Sequence, residues 1–187
     1  MRVGCYPGSF NPPTNAHLAV AEAARHTHQL ARVDLVVSRV PLAKGPVVRP
    51  RFEDRIAVLE SLAARLGWLE VVVSDDQLVA DLAQGYDVVI MGADKWAQIH
   101  ELHFYDGSAD GRDAALARLP TVALAPRDAD ELIDHDPLAV DERHRLTSST
   151  AARDGQRDLM VPEARDFDER TGAWTDPTRY DAWVIDQ

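Results

Sequence analysis

RVGCY (Arg2 to Tyr6), closed by Pro7-Gly8 and followed a few residues later by the Ala-rich stretch Asn15 to His28, decides the fold class of this chain. The first run is short and apolar, as a strand buried on both faces must be, and the second favours helix. Outward from it the same alternation repeats. VDLVVS (Val33 to Ser38) is a second apolar run rich in β-branched residues. Phe52, Ile56, Leu59, Leu62, Ala63 and Leu66 recur at helical spacing, which predicts an amphipathic helix from Arg51 to Leu66, stopped by Gly67. LEVVVS (Leu69 to Ser74) is a third strand, and Asp75 or Asp76 is placed to cap a short helix running to Gln84, ended by Gly85. DVVIM (Asp87 to Met91) is a fourth strand, and a helix near Asp113 to Arg118 leads to a fifth, TVALA (Thr121 to Ala125), ended by Pro126. Buried strands separated by helices of this length imply an α/β fold, doubly wound, with a mainly parallel sheet of five or six strands and helices on both faces.

In such a sheet the connections are right-handed and ligands bind outside the carboxyl ends of the strands. The segments following the strands are YPGSF, SRVPLAK, SDDQ, MGADKW and APRD, and most of the unusual polar chemistry of the chain falls in them. At 187 residues the sequence holds one main domain, drawn here over residues 1–168, with a tail over residues 169–187. The tail carries Trp174 and Trp183 and is expected to pack on the body or to form an interface with a partner, such as a second copy in a homo-oligomer.

The formal net charge of −11 opposes nonspecific binding to nucleic acid or anionic membrane, which needs a basic face. It leaves room for a small anionic ligand held by a few local cations. Lys44 and Lys95 are the only lysines in the chain. No run approaches the roughly 20 apolar residues of a membrane span, and no secretory leader is expected at the N-terminus. Cys5, the single cysteine, lies in an apolar run and is expected to be buried and inert in a reducing cytoplasm.

The stretch GSFNPPTNAH (Gly8 to His17) joins a strand to a helix. Gly8 is expected to supply a backbone conformation forbidden to other residues, and Thr14 or Asn15 to cap the helix. The helix N–H groups and dipole face the loop, where a phosphate is stabilised. Thr14 and His17, three apart, project from the first turn toward one point. This string resembles the HxGH/TxGH signature of the nucleotidyltransferase superfamily of α/β phosphodiesterases, and its wording is most similar to phosphopantetheine adenylyltransferases. Ala16 stands where that family normally has glycine. Near the other end, SSTAAR (Ser148 to Arg153) is a helix-capping pattern that also resembles the ISSTxxR signature of nicotinamide and nicotinate mononucleotide adenylyltransferases. Gly92-Ala93-Asp94 is similar to their GxD, in which the aspartate contacts the adenosine ribose or supports the substrate pocket; it equally suits a helix cap.

The resemblance implies a Rossmann-like fold and adenylyl transfer from ATP to a phosphate-bearing acceptor such as nicotinate mononucleotide, with release of pyrophosphate. Phosphopantetheine adenylyl transfer, cytidylyl transfer, and nucleotide binding without catalysis are the alternatives. On this reading Thr14, His17, Lys44 and Arg153 carry catalysis. Gly8, Ser9, Phe10, Gly92, Asp94, Ser148, Ser149 and Thr150 bind the nucleotide, and Arg55, Lys95 and Trp96 the acceptor. Arg49 and Arg51 are further candidates for the phosphates, and Trp96 either stacks on a base or packs. Mg2+ comes with the triphosphate, and no protein metal site is expected: the acidic loop Asp106 to Gly111 lacks the last ligand of a calcium loop, and His100 and His103 have no evident third partner. The acceptor segment between Ser74 and Gly85 has no clear counterpart in the family.

Overall fold

The computed structural model describes residues 1–40, 47–126, 137–145 and 147–187. The regular elements run β1 (Val3–Pro7), α1 (Asn15–Thr27), β2 (Arg32–Ser38), α2 (Phe52–Leu66), β3 (Leu69–Ser74), α3 (Val79–Leu82), β4 (Val88–Gly92), α4 (Ala93–Gln98), α5 (Ala109–Leu116), β5 (Thr121–Ala125), α6 (Glu142–Arg145), α7 (Ser149–Arg153), α8 (Pro162–Thr171) and α9 (Pro177–Ile185). Short 3-10 turns lie at Leu102–Tyr105 and Arg157–Leu159.

Among the described residues the strands form one five-stranded sheet in the order β3-β2-β1-β4-β5, parallel throughout. The chain steps outward from β1 to β2 and β3, then returns past β1 to lay down β4 and β5. Strand order therefore reverses between β1 and β4, and a crevice opens where their carboxyl ends diverge. Alternate residues feed two apolar layers. Tyr6, Leu35, Val37, Val88 and Ile90 face α1, α2 and the C-terminal helices, whereas Cys5, Val36, Val89, Met91 and Leu124 face α3 and α4. Helices thus cover both faces of the sheet, as the unbroken apolar strands require.

The expected elements form, with changes that have local causes. Gly67 ends α2 in the left-handed conformation at φ 71, and its N–H returns to the Ala63 carbonyl at 2.9 Å. The short helix after β3 begins at Val79 rather than at an aspartate cap. Asp76 is spent elsewhere: its carboxylate accepts the Ser74 hydroxyl at 2.8 Å, and its carbonyl accepts the Ser38 hydroxyl at 2.6 Å, tying the ends of β2 and β3. The helix expected near Asp113 starts earlier, at Ala109, because Ser108 caps it by accepting the Gly111 N–H at 3.0 Å.

The boundary drawn between residues 168 and 169 falls inside α8. Ala173, Trp174 and Tyr180 belong to the main core, and Trp183 packs against it and stacks on Tyr180. Trp174 is only 5 % exposed, so its ring is an internal anchor rather than an interface residue. No helix among the described residues is long and apolar enough to cross a membrane.

Candidate active site

The crevice at the switch between β1 and β4 is a cleft of about 650 Å³. The loop after β1, the start of α1, the end of β2, the β4–α4 junction and the segment leading into α7 line it. The two motifs quoted from opposite ends of the chain therefore meet in one place. Against a chain charge of −11, the described lining carries Arg39, Arg55, Lys95 and Arg153, opposed by the single carboxylate Asp94. A cleft that concentrates cations in this way attracts an anion despite the overall charge.

The start of α1 is built as a reciprocal cap. The Thr14 hydroxyl oxygen accepts the His17 backbone N–H at 3.4 Å, and the Thr14 backbone N–H donates to His17 Nδ1 at 3.0 Å. The Thr14 hydroxyl is also 2.8 Å from Nδ1. A backbone N–H can only donate, so Nδ1 is an acceptor and the proton of the neutral imidazole sits on Nε2. Phe10 holds the ring edge-on, with centroids 5.2 Å apart, and Tyr6 packs edge-on to Phe10 at 5.4 Å. His17 is thereby presented as an oriented hydrogen-bond donor at the helix mouth, where the first turn contains no acidic residue.

Phe10 is 2 % exposed and adopts a left-handed φ of 43, a strained conformation for a bulky side chain of the kind found at functional sites. Its ring explains Gly8 differently from the sequence expectation. A Cβ on Gly8 would lie 2.9 Å from Phe10 Cζ, so glycine is needed there for clearance and not for its backbone angle. Phe10 lines the cleft mainly as the wall behind His17.

The C-terminal motif braces the N-terminal one. Ser148 caps α7 by accepting the Ala151 N–H at 3.1 Å, and the Ser149 hydroxyl donates to the Pro12 carbonyl at 2.8 Å. Arg153 donates to the Asn11 carbonyl and, at 3.1 Å, to the Thr150 hydroxyl. Arg55, 4 % exposed, donates to the Ser9 carbonyl at 2.8 Å and lies over the Phe52 ring. Its Nε has no hydrogen-bond partner, and burial pulls its pKa below the ordinary guanidinium value while Glu53 acts in the opposite sense.

Gly92 and Asp94 both line the cleft, Gly92 as the residue before α4. A Cβ on Gly92 would meet nothing within 4 Å, and its φ of −81 is open to any residue. Lys95 lines the cleft and its amine donates to Gln98 at 2.5 Å.

Other candidates fall elsewhere. Trp96 is not among the lining residues; it packs against the second core layer with its ring 4.6 Å from His100, so the packing alternative is the one realised. Arg49 and Arg51 face the C-terminal helix rather than a phosphate site. Arg49 pairs with Asp181, Arg51 pairs with Asp54 at 2.9 Å, and the Arg51 backbone N–H reaches the Tyr180 hydroxyl at 2.8 Å. Lys44 lies outside the described residues.

The sequence reading passed over Arg39, which follows β2, lines the cleft and stacks at 4.7 Å on Phe52. Its position directly after a strand end was the available signal. Gln77, in the segment after β3, carries the same signal and also lines the cleft, as does His144, whose sequence neighbourhood marks nothing.

The model of the cytidylyltransferase-like family matches residues 5–166. A probable nicotinate-nucleotide adenylyltransferase of Citrifermentans bemidjiense is 39% identical over 64 residues, which is 34% of this chain and 30% of that protein. The phosphopantetheine adenylyltransferase of Streptococcus suis is 33% identical over 87 residues, or 46% of this chain and 51% of that protein. This chain thus spans about a third to a half of the length of these relatives. Nicotinic acid mononucleotide adenylyltransferase of Plasmodium falciparum, solved with NaAD, superposes with a TM-score of 0.60 at 16% identity, covering 92% of this chain and 97% of that one. At that identity the likeness shows a shared fold.

Proposed function

Because the chain belongs to the cytidylyltransferase-like family, we propose that its cleft transfers a nucleotidyl group, most simply adenylyl from ATP, to a small phosphorylated acceptor. The observation that carries this reading is the convergence of the two motifs, with a rigidly capped His17 and four cations around one cleft in an acidic protein. The chemistry is in-line substitution. An oxygen of the acceptor forms a bond to the α-phosphorus, the bond to the bridging oxygen breaks, and pyrophosphate leaves with the electron pair. No protein nucleophile takes part, so the protein contributes position and charge.

In this reading Nε2–H of His17 donates to a non-bridging phosphate oxygen, and the backbone N–H groups of Asn15 and Ala16 support its neighbour. The Thr14 hydroxyl fixes the imidazole. Arg153 offsets charge on the leaving pyrophosphate, the role the sequence also assigns to Lys44, and Lys95 is offered to the acceptor. Gly92 admits the nucleotide, which is supported by a glycine that no protein contact requires. Arg39 and Arg55, on either side of Phe52 in sequence, supply the acceptor's anionic group with donors. Mg2+ enters bound to the triphosphate, held by phosphate oxygens and waters.

The relatives from Citrifermentans bemidjiense and Streptococcus suis are named for different acceptors, so the test is a panel. Pyrophosphate release is measured for ATP and CTP, each with nicotinate mononucleotide and with pantetheine phosphate. Turnover with one ATP pair identifies the acceptor, and turnover with CTP replaces the adenylyl assignment. Nucleotide binding without release from any pair would make the protein a non-catalytic binder.

A further inference from the structure

We propose that Trp174, in the C-terminal segment, is a positioning residue for the triphosphate-binding loop and acts through Asn11; the inference rests on the nucleotidyl-transfer reading. The loop between β1 and α1 is held largely by groups that come from elsewhere. Its carbonyls at Ser9, Asn11, Pro12 and Pro13 accept from Arg55, Arg153, Ser149 and the Val161 backbone N–H respectively. Of these four residues, Asn11 alone is gripped twice among the described contacts. Arg153 holds its carbonyl, and the indole N–H of Trp174 donates to its side-chain oxygen at 2.7 Å. Asn11 lines the cleft and follows the strained Phe10, so a shift at Asn11 moves the residue that backs His17.

Trp174 itself does not line the cleft, so a direct contact with ligand is not its role. It is held as firmly as the bond it makes would require. Its backbone N–H donates at 2.7 Å to Asp168, and its ring packs edge-on to Phe167. Asp168 is fully buried and also accepts from the Thr175 backbone N–H at 3.0 Å, from the Thr175 hydroxyl at 2.6 Å and from Arg157 at 2.7 Å. A buried indole N–H needs a fixed acceptor, and here the acceptor is a side chain of the phosphate loop 163 positions away in sequence.

The test compares the full chain with Trp174→Phe, Asn11→Ala and the double variant. Phenylalanine keeps an aromatic ring in the core and removes the indole N–H together with part of the ring volume, which the melting temperature of the variant reports separately. Each single variant is expected to lower kcat by about tenfold to a hundredfold, as misplacement of reacting groups does. The KM for the acceptor should stay near that of the unmodified protein. The double variant should be no slower than the worse single one, because both cut the same link. All rates are taken well below each variant's melting temperature, where a merely structural residue would leave kcat unchanged. A Trp174→Phe kcat within about twofold of the unmodified protein, or multiplicative losses in the double variant, overturns the inference. Binding of inorganic tripolyphosphate separates this from failure of the functional reading. If the unmodified protein binds it without any turnover, weaker binding by Trp174→Phe still supports the positioning role and equal binding refutes it. If the unmodified protein binds none, the functional reading and the inference fall together.

Discussion

Replacing Asp168 by asparagine should destabilise the protein by about 3 kcal/mol at neutral pH and by much less in acid. The carboxylate is fully buried at the end of α8 and accepts four hydrogen bonds, two on each oxygen. An asparagine oxygen in place of Oδ1 keeps the Trp174 and Thr175 backbone N–H groups. The amide nitrogen in place of Oδ2 then faces Arg157, which has only donors to offer. Removing one partner of a buried pair costs about 3–5 kcal/mol. Arg157 is 41% exposed and can rehydrate, which places the loss at the lower end. For a chain of this size that corresponds to a fall in melting temperature of roughly 6–12 °C.

The pH dependence has a definite sign. Burial acts to raise the Asp168 pKa, but the bonds from Thr175, Arg157 and the Trp174 backbone outweigh it and hold the carboxyl below its usual range. A depressed native pKa contributes stability above the unfolded value of about 3.9, and that contribution is lost as pH falls through the native value. Urea unfolding followed by circular dichroism from pH 7 down to about pH 3.5 should therefore show the gap between the two proteins narrowing below about pH 4. A gap that is constant over this range, or below about 0.5 kcal/mol at pH 7, would show that the buried Asp168 carboxylate does not stabilise the fold through its charge.

Gly8→Ala should destabilise by about 1–3 kcal/mol through the clash with Phe10, and should cost less in a Phe10→Leu background. An equal cost in both backgrounds, read by urea unfolding, would return the requirement to the backbone. Gly92→Ala should leave stability within about 0.5 kcal/mol and raise the KM for the triphosphate, since the methyl enters only the cleft; an unchanged KM would remove Gly92 from the nucleotide site. The Cys5 thiol, pushed up to about 12 by burial and by the nearby Asp34 carboxylate, should resist a disulfide reagent at pH 8 in the native protein and react fully in urea. Rapid labelling of the native protein would show that β1 opens far more readily than its packing indicates.

The strands were legible because each is an unbroken apolar run, and such runs in a parallel sheet have few other places to go. Their spatial order was not, since periodicity fixes which residues are buried but not which strand lies beside which. The reciprocal cap at the start of α1 could be read from Thr14 and His17, yet nothing in the residue pattern marks Ser149 and Arg153 as partners of the loop backbone. Those contacts cross more than 130 positions and depend on the closed fold. Arg49 and Arg51 stand among other basic residues in sequence, and the fold draws them away, Arg49 to Asp181 on α9 and the Arg51 guanidinium to Asp54 and over the Trp183 ring. Helix α8 is amphipathic but polar on average, and tertiary anchors such as the bonds to Asp168 hold it where local propensity is weak.

The role proposed for His17, fixed by Thr14, is to act on a bound triphosphate. Its most direct test is pyrophosphate release by His17→Ala and by the unmodified protein, at saturating triphosphate with the acceptor that the panel identifies. Loss of one imidazole donor in a preorganised site should lower kcat by about a hundredfold to a thousandfold while urea unfolding stays close to that of the unmodified protein. A folded His17→Ala variant with near-normal turnover would contradict the account.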